Sequence, residues 1–148
     1  MWNDQKSVTL SRLCIGAFSL ALAALLVVAP SLVNWFLLPR GFAPGADRYF
    51  LMTIYLGALP AACLLYMLHR LLQNISKEAV FIPENVDLLR RISWCCFLGA
   101  AICMASGLYF VPWYLIAVAA AFMGLIVRIV KNLIARAVSL QDEVDHTV

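Results

Sequence analysis

The chain has 148 residues, of which 64% are hydrophobic and 13% are charged, and its mean hydropathy is +0.90. A soluble domain carries about 25% charged and about 45–50% apolar residues, so a soluble fold could not cover this much apolar surface. The net charge of +3 is modest, and the basic residues lie at the ends of apolar runs, which does not suggest a nucleic-acid-binding face. The composition predicts one integral membrane domain.

The apolar runs predict four membrane spans. The first run, 13–38, is longer than the h-region of a cleaved signal peptide, the alternative reading of this segment. A breaker-rich loop, 39–48, separates it from the second run. The uncharged run 92–127 would form a helix of about 54 Å, whereas the apolar core of a bilayer is about 30 Å thick. We therefore predict a turn at Gly107 and Pro112, and an all-α membrane four-helix bundle with spans at about 13–37, 49–70, 92–109 and 112–131.

The basic residues predict the orientation of the spans. With both termini in the cytoplasm, nine of the eleven Lys and Arg residues lie on the inner side, and only Arg40 and Arg48 lie outside. This asymmetry is the positive-inside pattern. It predicts an N-in, C-in protein with a cytoplasmic loop at 71–91 and a cytoplasmic C-terminal helix at 132–144.

Amphipathic stripes continue the helices beyond the membrane on the inner side. On the fourth helix the stripe has spacings of four and three, and comprises Ile126, Val130, Leu133, Ala137, Leu140 and Val144. Similar stripes flank the cytoplasmic loop and reduce it to a short link at 76–82, with Pro83 suited to the first turn of the third helix. We expect the extensions to pack into a neck, the alternative being frayed, solvated ends that lie on the lipid headgroups. Phe81 is expected to pack beneath this neck against Leu72, Leu89 or Leu133, and is a candidate partner contact if it faces water instead.

Catalytic chemistry is sparse in the sequence. The apolar runs contain no Asp, Glu, Lys, Arg or His, which argues against a coupled transporter. The five cysteines lie in or beside apolar runs and are expected to be free thiols. Cys95 and Cys96 are adjacent, which suits a disulfide poorly, so a thiol enzyme or metal site is the weaker alternative to helix packing. We predict no enzyme activity, cofactor or metal, and we expect Asn34, Thr53 and Ser106 to bond to neighbouring helices.

The loop itself resembles a bacterial family catalogued as domain of unknown function 2975. The residues that carry the resemblance are Leu71, Leu72, Ile75, Ser76, Lys77, Glu78, Phe81, Glu84, Asn85, Leu89, Arg90, Arg91, Ile92 and Trp94. The resemblance implies an inner-membrane protein without established activity, and many such proteins are encoded beside a small helix-turn-helix regulator. Two positions depart from the pattern, since Ala79 replaces an expected glycine and Ile82 an expected Ser or Thr. Because Ile82 cannot cap a helix, Asn85 is expected to satisfy the free amides.

These observations favour a membrane-anchored interaction protein that docks a cytoplasmic partner, such as a helix-turn-helix regulator, through loop 71–91. The residues expected to contact the partner are Lys77, Phe81, Glu84, Asn85, Arg90 and Arg91. The alternative is a small-molecule or lipid permeation unit, acting as a homo-oligomer or as a subunit of a larger complex. Direct nucleic-acid binding is not expected in either case.

Overall fold

The computed structural model describes residues 4–146, and this part of the chain is helical apart from short connections. The four long helices are α1 (Asp4–Leu37), α2 (Ala46–Ser76), α3 (Pro83–Ser106) and α4 (Pro112–His146). A 3-10 turn, Leu38–Arg40, follows α1. The remaining connections are 41–45, 77–82 and 107–111.

All four helices are long and apolar enough to cross a membrane. Even α3, with 24 residues, is about 36 Å long at about 1.5 Å per residue, which exceeds the apolar thickness of about 30 Å. The protein is therefore a multi-pass membrane protein, and the predicted all-α, four-span architecture is confirmed. The turn predicted from Gly107 and Pro112 is also confirmed, because α3 ends at Ser106 and α4 begins at Pro112.

The helices pack in chain order, as a row. In the described residues, α1 packs on α2, α2 on α3 and α3 on α4, without close backbone contact between other helix pairs. Most of the surface of α1 and α4 is exposed as a result, including Leu20, Val27, Leu115 and Phe122. These apolar faces require lipid as their solvent.

The row has two distinct ends. We call the end that carries connection 77–82 the link end, and the end that carries connections 41–45 and 107–111 the turn end. At the turn end, Phe36, Phe42, Phe50 and Phe110 form a ring cluster with centroid separations of 5.2–6.3 Å. Trp113 of α4 joins it through Phe50, at 6.3 Å. Aromatic contacts of this kind are stabilising beyond the area that they bury, so the cluster fastens the end of α1 to the other helices.

Helices α3 and α4 approach each other closely at Gly124. A Cβ atom there would lie 3.0 Å from a ring carbon of Phe97 and 3.2 Å from the Cβ of Cys96. Ser93, which is 2% exposed, donates a hydrogen bond of 3.1 Å to the carbonyl of Gly124. The small residue thus lets the backbones approach closely enough for this bond, as is typical of membrane helices.

The best-buried apolar cluster lies towards the link end. Met67 of α2 packs with Leu88 and Ile92 of α3, and Val127 of α4 packs against them. The expected neck is therefore present between α2 and α3. The expectation that the α4 stripe joins it is wrong, since Leu133 is 65% and Leu140 54% exposed. The stripe lies on another side of α4, because Ile126 and Val130 are also exposed although they lie level with α3. The side of α4 that packs on α3 carries Gly124 and Val127.

Candidate functional site

The link, residues 77–82, begins with a tight cap on the C-terminus of α2. The amide of Ala79 donates to the carbonyl of Asn74, and the amide of Glu78 donates to the carbonyl of Ile75, both at 3.0 Å. These two bonds form a Schellman motif, in which the residue after the cap adopts a left-handed conformation. Here that residue is Glu78, with φ of 62°. The left-handed position is therefore residue 78. The family resemblance leads to an expectation of glycine at position 79, but Ala79 has no positive φ.

Asn85 fixes the rest of the link. Its side chain is 1% exposed, and its Nδ2 donates to the carbonyls of Ala79 and Val80 at 2.8 and 2.7 Å. Its Oδ1 accepts a bond of 2.9 Å from Asn74 of α2. Buried polar groups are costly unless they are bonded, and here both ends of the amide are satisfied.

The expected capping role of Asn85 is therefore wrong. Ile82 precedes the first residue of α3 and makes no side-chain capping bond. The oxygen of Asn85 is already taken by Asn74, so it does not accept from the free amides of α3. The bond from the amide of Asn85 to the carbonyl of Ile82, at 3.1 Å, closes the first turn instead.

Ion pairs at the link end join the two helices and stiffen α3. Arg70 of α2 contacts Glu84 of α3 with an N–O distance of 3.0 Å. On α3 itself, Asp87 contacts Arg90, and also Arg91 at 3.8 Å. These side chains are about half exposed, and exposed pairs contribute little stability, typically about 0–1 kcal/mol. Their main effect is to fix where the charges lie.

Phe81 is the large apolar side chain that the link exposes. It is 53% exposed, so the expectation that it packs beneath the neck is wrong. The link carbonyls that Asn85 binds belong to the two residues immediately before Phe81. Hydrogen bonds from Asn85 thus hold the backbone just before Phe81, and the ring of Phe81 lies on the protein surface.

The residues predicted to contact a partner fall into two groups. Asn85 is buried and shapes the link from within. The other five are exposed on the link or the adjoining part of α3: Lys77, Phe81, Glu84, Arg90 and Arg91. The sequence reasoning missed Asn74, the partner of Asn85. Its signal is a polar amide in the last turn of α2, next to the end of the apolar stripe.

A second polar cluster lies between α2 and α3 near the turn end. Thr53 and Ser106 are 6% and 5% exposed, and their hydroxyls are 2.7 Å apart. Thr53 donates to the carbonyl of Tyr49 at 3.0 Å and also contacts the hydroxyl of Tyr109. The expectation of helix-to-helix bonding is confirmed for Thr53 and Ser106. It is wrong for Asn34, which is exposed and has no bond to a neighbouring helix within residues 4–146.

The five cysteines are free thiols in the structure, and they are spread over three helices. Cys14 lies on α1, which does not contact α3, where Cys95 and Cys96 are found. Within residues 4–146, no group of three or more His, Cys, Asp or Glu side chains is placed to hold a metal ion. Cys96 packs beside Gly124 at the α3–α4 approach.

Residues 23–148 match the family described as protein of unknown function DUF2975. The chain belongs to this family. The resemblance drawn from loop 71–91 is thereby confirmed, and the match extends over α2, α3 and α4 of this DUF2975 protein. No match was found among curated proteins or among solved structures.

Proposed function

We propose that this DUF2975 protein is a non-enzymatic, membrane-anchored interaction protein of the bacterial inner membrane, and that its link end docks a cytoplasmic protein. The observation that carries the proposal is the exposed ring of Phe81 on a link that Asn85 holds in one shape. An aromatic side chain presented by a fixed backbone is typical of binding hot spots. The N-in, C-in orientation, supported by the positive-inside asymmetry, exposes this end to the cytoplasm.

The charges around Phe81 indicate the chemistry of the partner. Glu84 and Asp87 are each matched by arginines, as described above. Lys77 is exposed at the start of the link. We therefore infer that a partner offers an apolar pocket with an acidic rim. The family resemblance directs attention to a helix-turn-helix regulator as the partner.

Photo-crosslinking in membranes tests this proposal. A photoreactive phenylalanine analogue at position 81 should give a discrete adduct with a cytosolic protein, identified by mass spectrometry as one sequence in replicate samples. The matched control is the same analogue at position 140, which is similarly exposed on α4. Replacing Arg90 and Arg91 by Gln should weaken the adduct at position 81, whereas Arg136→Gln should not. Identical adducts at positions 81 and 140, or none at 81, would refute the proposal.

The row of helices also favours a second candidate function, a subunit of a small-molecule or lipid permeation complex. A row in which only chain neighbours pack encloses no channel among the described helices, so further walls would come from other copies or other subunits. Flux through liposomes that contain this chain alone, with an oligomer of defined size, would support this candidate. An inert monomer in the same liposomes would speak against it.

A further inference from the structure

Helix α1 packs closely on α2 near the turn end and less closely towards the link end. Ala29 and Val33 are 0% and 4% exposed, and the hydroxyl of Tyr55 donates to the carbonyl of Leu26 at 3.2 Å. Between residues 5 and 25, by contrast, every residue of α1 is exposed or half-exposed. The packing between the two helices is therefore looser towards the link end.

A groove of about 560 Å³ lies between α1 and α2 in this region. Its walls are apolar for most of their length, with Ile15 and Leu22 on α1 and Leu65 on α2. Gly16 and Ala62 widen it, because neither carries a large side chain. If such a groove stays empty, the side chains that line it lose dispersion contacts. Within a bilayer, a lipid acyl chain can occupy the groove and supply these contacts.

The mouth of the groove carries the positive charge of Arg12 of α1. His69 of α2 also lines it. Arg12 also lines an adjoining, more polar groove towards the link, together with Thr9 and Ser76, and Glu78 lies along that second groove. Among the described residues Arg12 has no carboxylate partner, whereas Arg70, as shown above, is paired.

We propose that the α1–α2 groove binds one anionic phospholipid from the leaflet at the link end. One acyl chain lies along the apolar walls, and the phosphate accepts hydrogen bonds from the guanidinium of Arg12. An apolar groove with a cationic mouth is complementary to an amphiphile with a negative head. A second copy of this protein is a less suitable occupant of the groove. Related by a two-fold axis through the groove, it would place its own Arg12 near the first one, and the two positive charges would repel each other. This lipid site is independent of the docking surface around Phe81.

Native mass spectrometry of the full chain, released from mixed micelles, tests the charge at the mouth. The wild-type chain should retain phosphatidylglycerol in preference to phosphatidylcholine. Arg12→Gln should weaken phosphatidylglycerol binding by about tenfold and leave phosphatidylcholine unchanged. The matched control is Arg136→Gln, which removes an exposed positive charge from α4. An unchanged preference in Arg12→Gln, or the same loss in Arg136→Gln, would overturn the proposal.

Filling the groove tests the acyl-chain part independently of charge. A Cβ atom at Gly16 would meet nothing within 4 Å, so Gly16→Leu is compatible with the fold and should reduce retention of both lipids. Ala17→Leu, on the exposed side of the same turn, should not. Unchanged retention in Gly16→Leu would contradict the site. Equally tight binding of glycerol 3-phosphate, which has no acyl chain, would also contradict the site. So would a protein dimer that Gly16→Leu dissociates, because the groove would then be a contact between two copies of the protein.

Discussion

Asn74 donates a 2.9 Å hydrogen bond to the side-chain oxygen of Asn85, which joins the last turn of α2 to the first turn of α3. Through this bond and its two bonds to link carbonyls, Asn85 determines the shape of the segment that carries Phe81. The amide is buried, so its loss leaves polar groups without partners.

Replacing Asn85 by Leu should therefore lower the free energy of unfolding by about 1–3 kcal/mol, the cost of unsatisfied buried groups. Asn74→Leu should have a similar effect, and the two changes together should cost less than their sum, because they remove a shared bond. Reversible unfolding in mixed micelles measures both. Asn132→Leu, at an exposed position of α4, is the control, and an equal loss there would contradict the assigned role.

Glu78 occupies the left-handed position of the Schellman motif, where a Cβ atom costs about 1 kcal/mol. Glu78→Gly should raise the free energy of unfolding by about that amount, because glycine adopts this conformation without the penalty. Lys77→Gly is the matched change at the preceding residue, whose φ is −90°, and it should give no gain. A gain of equal size from both variants in the micelle assay would show that backbone strain at Glu78 is not the cause.

Gly124 sets the distance between α3 and α4. Gly124→Ala should lower the free energy of unfolding by about 1–3 kcal/mol, the usual cost of overpacking, because the new methyl group meets Phe97 and Cys96. Gly99→Ala, on α3, adds a Cβ atom that meets nothing within 4 Å and should cause no loss. The thermal midpoint of the two variants in one detergent provides the comparison. An unchanged thermal midpoint in Gly124→Ala would contradict the assigned role, because it would mean that α3 and α4 can move apart without loss of stability.

The hydroxyl cluster near the turn end should contribute modestly to stability. Thr53→Val removes the hydroxyl that contacts both Ser106 and Tyr109. The expected loss is about 0.6 kcal/mol and at most about 1.7, the range measured for membrane helix hydrogen bonds. A double-mutant cycle of Thr53→Val with Tyr109→Phe measures the coupling. The hydroxyl of Tyr114 makes no hydrogen bond within residues 4–146. Tyr114→Phe should therefore show no coupling with Thr53→Val.

The spans and their turns could be predicted from sequence because they depend on local quantities. The length of an uncharged run and a glycine–proline pair are enough to place the turn at 107–111. The helix extensions around the link followed from periodic apolar residues, and the buried cluster of Met67, Leu88 and Ile92 bears out the packing of α2 on α3. The positions of the spans and turns need no knowledge of which helices are neighbours, and α2 and α3 are joined by a link too short to separate them.

Features that depend on which side of a helix faces its neighbour could not be predicted. Leu133 is exposed because α4 packs on α3 through the side that carries Gly124 and Val127, and the predicted stripe lies off that side. Likewise, the role of Asn85 depends on Asn74, which is 11 residues away in the chain and adjacent only because the link folds back. Periodicity identifies an apolar face of a helix but does not determine whether that face contacts a neighbouring helix or lipid.

The serial packing of the helices has a consequence for biogenesis. Since each helix packs on the one that precedes it in the chain, each can associate as soon as it leaves the ribosome and enters the membrane. Contacts between segments close in sequence form quickly, and synthesis from the N-terminus supplies them in order. The ring cluster at the turn end is completed only when Phe110 arrives, so the attachment of α1 becomes final when the last pair of helices is being inserted.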